Sequence, residues 1–461
     1  MRRSFTLFSL AILFSSAMRL VAQQREQPPE GAPPKPFHSP ARTTFTAGTG
    51  LPVTLAQFGL IPKVTIELVV RGGEITEPKG KDGLGTLMGE LMKEGTSSLT
   101  AEQIAQKAAL LGGSLSVDTD SDEIIVRGDA LSESAARMIE LLADLALHPK
   151  FPESELQRLK KDQLRNIAIA KTQPKVIAAQ AFRKVVYGDN GYGRVIPDEA
   201  ALGSITLDEI KAYYARHFIP SNAHLYVTGL FSPDLRSAIE TAFSGWPKGD
   251  NPPVPEIKAQ TKHTLELVDR PGAPQSTLAI GTPVIGPESG DYIPLEVTNS
   301  LLGGSFMSRI TSNIREQKGY TYSPRSALET NAENAVWVEH ADVTTKFTGE
   351  SLKEIFGEMN GLRREGPPQK ELKGIQNGIA GVFILRNSSR QGIINILKMI
   401  DLHHLPPDYI DSYLPKMFAV TPSQVQGISE KYLDPAKMTV VVVGDKAQVE
   451  SQIAPYKPGT N

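Results

Sequence analysis

The chain has 461 residues, 40% hydrophobic and 22% charged, an ordinary globular composition long enough for two domains of roughly 200 residues each. Forty-nine Lys and Arg against 51 Asp and Glu leave a formal net charge of -2, which argues against a dedicated nucleic-acid binder. There is no cysteine, so disulfides, thiolate metal sites, a cysteine nucleophile and a lipidated N-terminal cysteine are excluded.

In chain order, Arg2 and Arg3 precede the apolar run Phe5 to Phe14, and Ala17 and Ala22 offer small residues for cleavage. Residues 1–22 therefore read as a secretory signal peptide. The run is too short to span the ~30 Å of a bilayer's hydrocarbon core, and Arg19 interrupts it. Residues 23–40 are polar and Pro-rich, the composition of a flexible tail. No later segment is long enough to cross a membrane, so an exported protein is expected, periplasmic or secreted.

Val64, Ile66, Leu68 and Val70 alternate with Thr65, Glu67 and Arg71, the pattern of a half-buried strand. A helix is expected from Asp82, with Leu84, Leu87, Met88, Leu91 and Met92 on one stripe. After Gly112-Gly113, Ser114 to Arg127 is strand-like, and its acidic cluster (Asp118, Asp120, Asp122, Glu123) suits a solvated hairpin better than a calcium loop. Helices follow over Ser132 to Leu147, which Pro149 stops, from near Glu153 and from near Thr206, then a strand over Ala223 to Thr228. The second half repeats these landmarks. Phe151-Pro152 ahead of Glu155-Leu156 is matched by Gly366-Pro367 ahead of Glu371-Leu372, and Thr206, Pro220 and Gly229 are matched by Thr421, Pro435 and Gly444. A constant offset of this kind indicates a duplicated domain. The expected fold is α+β: two duplicated domains, 41–246 and 260–455, each a mainly antiparallel sheet covered by helices, joined by the Pro/Gly-rich linker 247–259.

The sequence holds no G-x-S-x-G, no Walker-type phosphate loop and no G-x-G-x-x-G after a strand. No two of its eight histidines lie three or four residues apart, the spacing that lets two imidazoles on one helix face one zinc ion. Two stretches carry more signal: Gly83-Leu84 through Gly95-Thr96, and Leu302-Gly303-Gly304-Ser305-Phe306-Met307-Ser308-Arg309 running into Arg315 and Gly319-Tyr320-Thr321-Tyr322.

With the duplication, these stretches resemble the pitrilysin/insulinase family of zinc metallopeptidases, especially its smaller two-domain bacterial members and the mitochondrial processing peptidase subunits. Active members carry H-x-x-E-H on the first helix and a third ligand, a glutamate, from a later one. The resemblance puts Thr86 and Glu90 at the two histidine positions, Gly89 at the catalytic glutamate, and Asn166 at the third ligand. One carboxylate without imidazole partners cannot hold zinc in the usual three-ligand open site, and hydrolysis then lacks a metal-bound nucleophile and its base.

Arg315 and Tyr322, by contrast, keep the Arg/Tyr spacing that in the family binds substrate backbone and stabilises the oxyanion. Arg315 could equally be a cation near a helix C-terminus closed by Gly319, and Tyr322 a core strand residue. The resemblance implies the non-catalytic subunit of a heterodimeric peptidase. This chain would bind no cofactor itself, its H-x-x-E-H partner would carry the zinc, and an unfolded peptide would be held at a sheet edge. A peptide-binding or scaffolding protein without proteolysis is the alternative, and a self-sufficient peptidase using Glu90 and distant histidines a further one.

Overall fold

The structure, a computed structural model, describes residues 37–459; the expected signal peptide and residues 23–36 of the expected tail lie outside the described residues. The first sheet contains β1 (Arg42–Thr46), β2 (Pro52–Gln57), β3 (Lys63–Arg71), β4 (Leu115–Thr119), β5 (Glu123–Leu131) and β6 (Ala223–Gly229), in the order β1-β2-β6-β3-β5-β4. The second contains β7 (Thr264–Asp269), β8 (Gln275–Val284), β9 (Arg325–Thr330), β10 (Ala335–Thr344) and β11 (Thr439–Gly444), in the order β7-β11-β8-β10-β9. The pairings correspond strand for strand. β2 runs parallel to β6 as β7 does to β11, and the remaining neighbours are antiparallel. The repeat of landmarks in the sequence is thus a repeat of topology, with β1 added to the first sheet. Residues 247–263 between the two sheets carry no regular secondary structure.

The helix starts follow local capping chemistry. Thr206 and Thr421 cap the helices Leu207–His217 and Pro422–Tyr432 through reciprocal bonds with Glu209 and Gln424. Pro152 and Pro368 precede the long helices Glu153–Ala170 and Gln369–Arg386.

Each sheet buries one face against helices of its own half; the other face is covered by a helix from the opposite half. Helix Pro174–Tyr187 lies on β8 and β11, and helix Arg390–Leu402 lies on β3 and β6. The first contact is apolar: Ala178, Phe182 and Val186 pack with Ala279, Val336, Val338, Val441 and Val443. A Cβ on Gly281 would stand 2.8 Å from the Phe182 ring, so glycine is what admits the phenyl group. The second contact is charged. Lys398 pairs with Glu123 at 2.9 Å, Arg127 Nε donates to Glu67 at 2.6 Å, and Gln391 donates to the same carboxylate at 2.7 Å. Asp401 meets His224 at 3.2 Å and accepts from the Tyr226 hydroxyl.

This second docking corrects two expectations. β3 is buried on both faces rather than half-buried, because a helix from the other half covers its polar side and partners Thr65 and Glu67. The acidic hairpin is only partly solvated. Glu123 is buried between Arg71 and Lys398, and Asp122 accepts from Tyr192 and the Ala332 amide. Burial pushes the Asp122 carboxyl up to about 6.

The described end of the expected tail is also held. Phe37 packs edge-on against Phe383 at 5.3 Å, and Ser39 donates through its amide and hydroxyl to Asp411 at 3.0 and 2.8 Å. Among the described residues no helix is long and apolar enough to cross a membrane.

Candidate functional site

The first motif forms helix Leu84–Met92, whose apolar stripe is buried in the first half's core. Gly83 caps it with φ 86°, a left-handed conformation that glycine takes without cost. The Glu77 carboxylate accepts from the amides of Gly83 and Gly85 at 3.0 and 2.9 Å, and Arg194 joins it to Asp82 through contacts of 3.3 and 3.1 Å. Burial nevertheless pushes Glu77 up to about 7, against the pull of those amides and of Arg194. This cap was not legible beforehand, because Glu77 and Arg194 are far apart in sequence.

Along this helix β4 lies close. The Thr119 hydroxyl donates to Gly85 O at 3.2 Å, and a Cβ on Gly89 would stand 3.2 Å from Val117 Cγ1 and 3.3 Å from Thr119 Oγ1. The position that the resemblance assigns to the general base is therefore a close packing contact, and a longer side chain there presses on the Val117 and Thr119 side chains. Gly89 is buried, whereas Thr86 and Glu90 are only half-buried. Glu90 is paired with Lys93 at 2.9 Å. Asn166 is exposed on helix Glu153–Ala170, with no hydrogen bond to Thr86, Gly89 or Glu90 among the described residues.

The donor set here does not fit zinc: one paired carboxylate, a hydroxyl and a glycine supply neither imidazole nor base. Among the described residues no group of three or more His, Asp or Glu side chains is close enough to hold a metal ion. Two of the histidines make hydrogen bonds within the fold instead. His217 Nδ1 lies 2.9 Å from Tyr213 O, and His224 Nε2 lies 2.9 Å from Thr54 Oγ1.

The second motif has the opposite character. Helix Tyr292–Asn299 continues into a wider, π-helical turn, Ser300–Gly304, and a second π-helical segment spans Thr311–Gln317. Such widened turns frequently occur at functional sites. Gly303 is needed for the first, since a Cβ there would stand 2.5 Å from Glu339 Oε2 and 2.6 Å from Ser326 Oγ. Glu339 is fully buried, and among the described residues no well-formed hydrogen bond reaches either carboxylate oxygen; burial pushes its carboxyl well above the ordinary range, against the weaker pull of the Arg325 backbone amide. Arg309 is structural, clamped in a bidentate pair to Glu371 at 2.8 Å through both oxygens.

Arg315 sits on the second widened segment, closed behind it by Gly319 at φ 65° and the bond from Tyr320 N to Ile314 O at 2.8 Å. Its guanidinium is flanked by two rings, Phe306 at 4.5 Å and Tyr322 at 4.9 Å. The Nε is paired with Glu316 at 3.2 Å, while the two terminal nitrogens have no protein partner among the described residues. Tyr322 is 79% exposed, not a core strand residue. Arg315 and Tyr322 are thus adjacent, with the arginine fork fixed by aromatic faces and open to an acceptor. The role of Phe306 in this arrangement was not legible, because only the Arg/Tyr spacing drew attention.

A family model described as Insulinase (Peptidase family M16) matches residues 59–197, and one described as Peptidase M16 inactive domain matches residues 204–379. The chain is 22% identical over 391 residues to a protein of Bacillus subtilis named uncharacterized zinc protease YmxG, covering 84% of this chain and 94% of the relative. It is 23% identical over 402 residues to a Helicobacter pylori protein named non-peptidase homolog YmxG, covering 86% and 92%. Among solved structures, the M16 inactive domain protein from Pseudomonas fluorescens superposes with a TM-score of 0.81 at 23% identity, covering 88% of this chain and 98% of that one.

Proposed function

Since the chain belongs to the M16, or insulinase, peptidase family, we propose that it is the non-catalytic subunit of an exported heterodimeric zinc metallopeptidase. The partner, an H-x-x-E-H homologue, holds the zinc, the nucleophilic water and the general base. This chain supplies Arg315 and Tyr322. The observation that supports the reading is the contrast within one molecule: the position assigned to the base is a glycine packed against β4 side chains, while the arginine fork is oriented between two rings. A half-buried guanidinium fixed between two rings loses little conformational freedom when it meets a carbonyl or a developing oxyanion. The Tyr322 hydroxyl adds a second donor beside it. In this reading an unfolded peptide lies extended in the chamber between the subunits, held by backbone hydrogen bonds to a sheet edge. The described edges are β1 and β4 in one sheet and β7 and β9 in the other. The export signal is residues 1–22, which directs the complex to the periplasm or the exterior.

The test is reconstitution with an exported H-x-x-E-H homologue from the same organism. Arg315→Ala should lower peptide turnover by roughly tenfold or more, the loss of one oxyanion donor, while the complex stays intact on size exclusion. Unchanged turnover would leave Arg315 a structural residue and favour a scaffolding role. The self-sufficient peptidase is disfavoured because Glu90 is paired with Lys93 and stands beside no imidazole among the described residues.

A further inference from the structure

We infer that one end of the first sheet docks on an anionic lipid surface, with the loop 58–62 between β2 and β3 entering the headgroup region. The inference uses no residue of the peptidase reading and stands apart from it.

The fold gathers apolar tips at this end. Phe58 N donates to Gly229 O at 3.0 Å where β6 finishes, and Ser132 N donates to Pro62 O at 3.0 Å just past β5. Between these anchors Leu60 and Ile61 are 96% and 63% exposed. Gly59 at φ 82° and Pro62, which restricts the residue before it, shape the turn. Leu131 N donates to Leu111 O at 3.0 Å, which brings the end of helix Ala101–Leu110 alongside, with Leu110 exposed. On the other flank, a Cβ on Gly229 would stand 3.0 Å from Arg390 Cδ. The turn between helices Gln369–Arg386 and Arg390–Leu402 therefore reaches the same end, carrying exposed Leu385. Single exposed apolar residues need no explanation; four converging on one end do.

The charge around these tips is positive. Lys63, Lys107, Arg386 and Arg390 have no carboxylate partner among the described residues, and Arg137 bonds only the Ser134 hydroxyl. Against these five stand three carboxylates: Asp129, which accepts from Thr65, Glu133, and Asp234 in the loop after β6. Lys107 lies one helical turn before Leu110, so cation and apolar tip share a face.

The occupant is a membrane surface rather than a protein. The tips are separate loop and helix ends, and protein interfaces are depleted of lysine at their cores. A lipid headgroup layer accepts both kinds of side chain: the apolar tips reach the acyl boundary while Lys and Arg remain with the phosphates.

The experiment is flotation of the full mature chain with vesicles of equal parts phosphatidylglycerol and phosphatidylcholine, and with phosphatidylcholine vesicles alone. The mixed vesicles should bind the chain, and phosphatidylcholine alone should bind it much more weakly. Leu60→Ser/Ile61→Ser should weaken binding roughly tenfold or more, the scale of losing two apolar side chains. Lys63→Gln/Arg386→Gln should weaken it roughly tenfold, as should raised salt. Ile169→Ser, an exposed apolar position elsewhere, should leave binding unchanged. Leu60→Trp should bind as the wild type does and shift its fluorescence to the blue on the mixed vesicles. No binding, equal binding to both vesicles, unchanged affinity in Leu60→Ser/Ile61→Ser, or a similar loss in Ile169→Ser overturns the proposal. Self-association on size exclusion that the same double variant abolishes, without vesicle binding, would overturn it in favour of a second copy as the occupant.

Discussion

The two halves place the same construction under opposite demands. In the first, helix Leu84–Met92 meets edge strand β4 through a glycine; in the second, the turn Ser300–Gly304 meets edge strand β9 through another glycine. At Gly89 the approach brings a methyl group of Val117 and the Thr119 hydroxyl within 3.3 Å of where a Cβ would stand, at the position the resemblance gives to a catalytic base. At Gly303 the approach traps a carboxylate, Glu339, and directs the following residues into solvent around an arginine. The difference shows how one duplicated fold can use a glycine to pack a helix on a strand in one half and to seat a buried carboxylate beside an arginine-bearing turn in the other.

The comparison breaks most readily at the closed side. Gly89→Glu should destabilise the chain by about 3 kcal/mol, the upper end of typical overpacking, read as a lower denaturant midpoint. For the same reason, Thr86→His/Gly89→Glu/Glu90→His should not acquire stoichiometric zinc; a stable, zinc-loaded triple variant would show that the contact with Val117 and Thr119 is not a barrier. Gly303→Ala should cost less, about 1–2 kcal/mol, because it adds a single carbon where Gly89→Glu adds a whole side chain, although that carbon would stand 2.5 and 2.6 Å from the side chains of Glu339 and Ser326. An unaffected midpoint would mean that the second glycine contact is dispensable.

The smallest effect sharpens the comparison through pH. A carboxyl whose value is raised by folding holds more protons in the folded state than in the unfolded one. Its contribution is full below the ordinary carboxyl range and is lost as pH rises through the raised value. For Glu77 that window runs from the ordinary 4.5 to about 7, and Glu339 shifts in the same direction. Glu339→Met removes an unpartnered buried acid and should stabilise by about 1 kcal/mol. The gain should be larger at pH 8 than at pH 5, measured by chemical denaturation. A gain independent of pH would show that Glu339 is not titrating.

Much of the fold was legible because it rests on local rules. Thr206 and Thr421 announce their helices by capping chemistry, and the constant offset between halves survives as matched strand order. What was hidden depends on contacts between distant residues. Nothing in the alternation of β3 says that Lys398 and Gln391 will cover its polar face, and nothing near Glu77 names Arg194. At the site, the lack of imidazole at Thr86, Gly89 and Glu90 was readable from residue type alone. The sealing of Gly89 by Val117 and the sandwiching of Arg315 by Phe306 were not, because each needs a partner that only folding brings near.

The most direct measurement is to assay zinc content and peptide hydrolysis of this chain alone, of the H-x-x-E-H partner alone, and of their mixture. The account predicts well under one equivalent of zinc and no turnover for this chain by itself, with turnover rising to a plateau as it is titrated into the partner. One tightly held zinc ion with hydrolysis by the isolated chain, or a partner whose rate is indifferent to the titration, would contradict it.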